Sequence, residues 1–167
     1  MLTLGDVFSV VAILTGVAFC LWALLVAASL VFDRKVGKAG MAVRSAPWRC
    51  LLAGAFWLVI GGGGSLVLLN LPAPILKAAG TVGLAFFLGV IGLGCAGLVS
   101  IAAQRVRSLD EGGSEYAALS RGALFVVLPG FLPILGWFGI APALILIGLG
   151  AGMKAILARE SVVPEAA

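Results

Sequence analysis

The chain has 167 residues, 62% of them hydrophobic and only 11% charged, with a mean hydropathy of +1.22. Soluble domains carry roughly 25% charged residues, so this composition excludes a water-facing surface and makes the bilayer the natural solvent. The net charge of +4 and isoelectric point near 9.4 do not indicate nucleic-acid binding, because the basic residues stand at the ends of apolar runs and not on an aromatic-lined patch.

Only helices and closed barrels satisfy their backbone within hydrocarbon. A barrel would show alternating segments of about ten residues, whereas the apolar runs here are long and continuous. The expected fold class is therefore an all-α integral membrane protein: three transmembrane helices followed by a Pro/Gly-broken helical hairpin, in a single membrane domain.

The first expected span covers residues 7–32 and would be about 39 Å long as a helix, enough to cross roughly 30 Å of hydrocarbon with tilt. It lacks the basic start of a signal peptide and reads as a retained helix. Thr3 or Asp6 is placed to cap it. Residues 33–49, "DRKVGKAGMAVRSAPWR", read as a basic loop, with Arg44, Trp48 and Arg49 at the membrane interface.

The second span, 50–71, contains Gly61-Gly62-Gly63-Gly64. Such a run weakens a helix in water, but in lipid it survives as a kinked helix whose bare backbone admits a close neighbour. A lipid or pigment lying against that backbone is the alternative. No phosphate-binding loop is indicated, since no Lys-Ser/Thr pair follows. "NLPAPILK" then turns the chain into a third span, 78–103, with small residues Ala85, Gly89, Gly92, Ala96 and Ala103 on one face.

Residues 104–121 read as a solvated loop, with Ser114 capping a helix that begins at Glu115. Gly122 to Met153 then runs without a charge. As one helix it would be about 48 Å long, half as long again as the hydrocarbon. Pro129 and Pro133 kink or end a first arm at 115–135. Gly136-Trp137-Phe138-Gly139 reads as the turn, with Trp137 at the far interface, and 140–157 as the returning arm, with Pro142 in its first turn. Gly148 and Gly152 give that arm a small-residue seam, and 158–167 is a short tail. Counted this way, every basic residue but Lys77 lies on one side, which the positive-inside rule makes cytoplasmic. The N-terminus is then outside and the C-terminus inside a bacterial inner membrane.

The chemical inventory is sparse. There is no histidine, so neither haem nor pigment magnesium can be held by imidazole and no His-based catalysis is available. No ionisable residue lies mid-span, where pumps place theirs. Cys20, Cys50 and Cys95 have no paired spacing and read as small apolar helix residues. No catalytic, metal or His-ligated cofactor site is expected; a bound lipid or pigment is the only cofactor-like contact left open.

Two stretches, "APWRCLLAGAFWLVI" at 46–60 and "SRGALFVVLPGFLPILGWFGIAPALILIGLGAG" at 120–152, are similar to the C-terminal membrane module of bacterial polymer-forming, bactofilin-like proteins. Arg49, Leu51 or Leu52 and Gly54 follow that module's R-x-L-x-G entry loosely, with one residue more between Arg and Gly. Pro133, Gly136, Trp137, Gly148, Gly150 and Ala151 match its closing P-x-x-G-W … G-x-G-A. The resemblance covers 46–157 and none of the family's β-helical domain. It implies membrane anchoring and helix packing, with no chemistry to transfer.

These features lead to a non-catalytic accessory or scaffold subunit, in contact with membrane lipids and other integral membrane subunits of a larger complex, respiratory or photosynthetic. The alternatives are a channel or carrier component that uses the broken hairpin, and a membrane-shaping hairpin protein.

Overall fold

A computed structural model describes residues 4–109, 114–132 and 134–157. Thr3, Asp110, Glu111, Pro133, Arg159 and the tail 158–167 lie outside the described residues. The described chain is helical, with no strand. Its elements are α1 (Leu4–Val31), α2 (Asp33–Ser45), α3 (Pro47–Trp57), α4 (Gly63–Asn70), α5 (Pro74–Arg107), α6 (Glu115–Val127) and α7 (Ala141–Leu157). Among the described residues, four helical stretches are long and apolar enough to cross a membrane: Phe8–Val31, Pro47–Asn70, Pro74–Arg107 and Gly136–Leu157.

The glycine run does not break its helix. A π-helical turn over Leu58–Gly62 joins α3 to α4, and Gly63 N–H donates back to Leu58 O. One extra residue in the turn leaves its backbone paired. Pro74 opens α5 at a position where its missing N–H costs nothing. Ser114 caps α6, its Oγ accepting from Ala117 N at 3.3 Å.

Two expectations are corrected. Residues 33–45 are not a loop: α2 is an amphipathic helix, burying Val36, Ala39 and Gly40 while Arg34, Lys35 and Arg44 stay exposed. Its glycines do not act as breakers. Gly40 lies against α5, where an added Cβ would stand 3.1 Å from Ser100 Oγ and 3.2 Å from Gly97 O. The second correction concerns Gly136-Trp137-Phe138-Gly139, which forms a π-helical turn over Gly136–Ile140 continuous with α7. Ala141 N–H reaches Gly136 O. This wide turn precedes Pro142, whose ring would otherwise press on the carbonyl four residues back. The chain instead reverses just before it, after the tight 3-10 turn Leu128–Phe131 that contains Pro129.

α5 is the central helix; α1, α2, α4, α6 and α7 all pack on it. α7 is held between α5 and α3. Gly148 and Gly152, four residues apart, face α5, where an added Cβ on Gly148 would meet Cys95 Sγ at 2.9 Å and one on Gly152 would overlap Val90 O. Gly94 of α5 answers them, its missing Cβ leaving room for the Gly148 carbonyl. Gly150 is two residues along, and so about 200° around the helix. It faces α3, fitted against Cys50 O and Gly54 N, while Gly54 gives way to Leu146 O. Small residues thus line both faces of one helix, and backbone meets backbone on both sides.

The α2–α5 contact gives a direct test. An added Cβ at Gly97 would stand 2.8 Å from Ala39 Cβ and 2.9 Å from Gly40 N. Gly97→Leu should therefore undock α2, with a cost of about 1–3 kcal/mol from overpacking. Amide exchange should rise across residues 33–45 and stay unchanged in α3 and α7.

Candidate functional site: packing faces and a polar cleft

Small side chains bring the helices of this bundle together. Gly61 faces the Phe87 ring of α5, and Gly62 has only Leu58 of its own turn nearby, at 3.4 Å. Gly63 and Gly64 have open space where a Cβ would go. The small face of α5 divides along its length. Ala96, Val99 and Ala103 are buried inside the chain. Ala85 and Gly89 are exposed and Gly92 is half-buried, with nothing within 4 Å of a Cβ at either glycine. Gly148 and Gly152 are buried against α5.

The interface candidates fall at opposite ends of the bundle. Arg44 Nη2 donates to Gln104 Oε1 at 2.7 Å and ties α2 to the end of α5. Trp48 and Arg49 are exposed in the first turn of α3. Trp137 is exposed on the π turn ahead of α7.

Sequence reasoning missed Gly54, Gly94, Gly97, Gly122 and Gly150 as packing positions. A signal was present for Gly150, because Gly148-Leu149-Gly150-Ala151-Gly152 alternates and so serves two faces of a helix. Gly54 and Gly94 are single glycines, and only the fold shows which neighbour each one meets.

The buried polar and sulfur groups are locally satisfied. Cys50 Sγ lies 3.4 Å from Ala42 O, and Lys154 Nζ donates to it at 3.5 Å. Ser29 Oγ donates to Leu25 O at 2.8 Å. Trp22 Nε1 donates to Ser120 O at 3.1 Å, clamping α1 to α6. Trp57 packs against the small cluster of Val90, Leu149 and Met153. No three His, Cys, Asp or Glu side chains come together to hold a metal ion among the described residues.

Two openings flank the Trp22 clamp. One is an apolar groove of about 310 Å³ between α1 and α6, floored by Phe19, Trp22, Leu124 and Leu128. The other is a polar cleft, also about 310 Å³, where α1, α2, α5 and α6 meet. Ser29, Asp33, Ser100, Gln104, Arg107 and Glu115 form its polar wall, and apolar side chains that include Leu30, Val36 and Leu119 form the rest. Arg107 Nη2 lies 3.7 Å from Glu115 Oε2, too far for a hydrogen bond, with both side chains well exposed.

No family model, curated protein or solved structure matches this chain.

The clamp is open to measurement. Trp22→Phe removes the donor and keeps an aromatic ring against Phe19, whose centroid lies 5.4 Å away. The expected cost is about 1 kcal/mol, read as a lower melting temperature in detergent. Trp22→Ala should cost about 3–5 kcal/mol.

Proposed function

We propose that the protein is a non-catalytic integral membrane subunit that scaffolds a larger complex through the uncovered small-residue face of α5. The observation that carries this reading is the divided face. In its lower half, Ala96, Val99 and Ala103 are covered by the chain's own helices; in its upper half, Ala85, Gly89 and Gly92 are left open. In a bilayer, small residues favour close helix contact, because lipid tails supply no hydrophobic drive and packing decides. Glycine in a helix carries a cost, which a helix seated on Gly89 and Gly92 would offset.

The charge pattern supports the placement. Arg34, Lys35, Lys38, Arg44, Arg49, Arg105, Arg107 and Lys154 lie in α2 or at the adjoining ends of α3, α5 and α7, while Lys77 opens α5 at the other end. With α1, α3–α4 and α5 as spans and α6–α7 as a hairpin, the basic end faces the cytoplasm of a bacterium and the N-terminus faces out.

Mild-detergent extraction from the native membrane, followed by a native gel and mass spectrometry, tests the proposal. A stoichiometric larger complex is the expected result. Gly89→Leu with Gly92→Leu should release the partner while shifting the melting temperature by no more than a few degrees, since both positions are open. A lone small particle from native membranes overturns the reading.

A further inference from the structure

Among the described residues, the polar cleft has more acceptors than donors. Asp33 and Glu115 bring carboxylates. The Ser29 and Ser100 hydroxyls already donate to Leu25 O and Gly97 O, at 2.8 Å each, so towards the cleft they offer only lone pairs. Gln104 Oε1 is taken by Arg44, which leaves its amide N–H groups as donors beside the Arg107 guanidinium. A complementary ligand therefore brings several N–H donors on a positive group and one anionic group within short reach.

The position of the cleft narrows the choice. It lies where α1 gives way to α2, where α5 ends and where α6 begins, so the apolar parts of three helices stop at its level. On the bilayer placement proposed above, that is the headgroup layer. Its volume of about 310 Å³ has room for a phosphoethanolamine group. We infer that the cleft is a binding site for the headgroup of a bilayer aminophospholipid, the ammonium held by Asp33 and Glu115 and the phosphodiester by Arg107 and Gln104. A choline headgroup has no N–H to give the carboxylates, and a glycerol headgroup brings no cation. The site is thus selective for a primary ammonium. The inference rests on the bilayer placement but not on the subunit reading.

The full chain, purified and stripped of lipid, is offered an equimolar mixture of phosphatidylethanolamine, phosphatidylcholine and phosphatidylglycerol with identical acyl chains, and retained lipid is read by native mass spectrometry. Phosphatidylethanolamine should be retained about tenfold over the others, as expected for charge-assisted hydrogen bonds. Asp33→Asn and Glu115→Gln should each bring retention close to parity at unchanged helicity and melting temperature. Arg107→Gln should weaken retention of phosphatidylethanolamine as well. Parity in the native sequence, or a preference that survives both carboxylate substitutions, overturns the inference. Displacement of the lipid by soluble phosphoethanolamine at equal concentration overturns the lipid source. Failure of the chain to enter liposomes sinks the bilayer placement itself, whereas insertion without headgroup preference sinks only the cleft.

Discussion

Close approach of helix backbones is the constraint on which this fold depends. α7 has no side chain at Gly148 and Gly152 on one face and none at Gly150 on the other. It can therefore lie against α5 and α3 at once, with the carbonyls of Gly148 and Cys50 occupying the space of absent β-carbons. In water, apolar side chains would draw these helices together. In lipid they would not, and dispersion contact at short range takes over. The same device recurs where α6 meets α5 at Gly122 and where α2 meets α5 at Gly97 and Gly40.

From this arrangement the rest of the molecule follows. With α7 fixed between α3 and α5, Lys154 comes to Cys50 and the ends of α3, α5 and α7 gather beside α2. α2 lies over them with its apolar face inward and its cations outward. The polar cleft forms where this cap, the end of α1 and the start of α6 fail to close completely. At the other end the chain reverses between the 3-10 turn that contains Pro129 and the π turn that leads into α7.

Much of the architecture was legible in the sequence, because uncharged runs of this length have few alternatives to helix. Ser114 as a cap and the Pro72–Pro74 turn were readable for similarly local reasons. The small face of α5 could be listed from its spacing, but not its division into a covered and an open half, which depends on where α2 and α6 come to lie. α2 was misread because glycine and charge within thirteen residues resemble a loop, and the buried trio Val36, Ala39 and Gly40 gains meaning only once Gly97 is opposite. The hairpin break was misplaced by a few residues: Gly-Trp-Phe-Gly has the composition of a turn, yet hydrogen bonding carries the helix through it. The cleft was invisible, since Ser29, Asp33, Gln104 and Glu115 are brought together by four separate helices.

The most direct measurement compares alanine at closed and open glycines. Gly152→Ala and Gly150→Ala each place a methyl group where backbone now lies, whereas Gly63→Ala and Gly64→Ala place one in open space. Reversible unfolding in detergent should show the first pair destabilised by about 1–3 kcal/mol apiece. The second pair should be neutral or gain up to about 1 kcal/mol from helix propensity. Equal effects at all four positions would contradict the account, because the α3–α7–α5 contact would then not depend on the missing side chains.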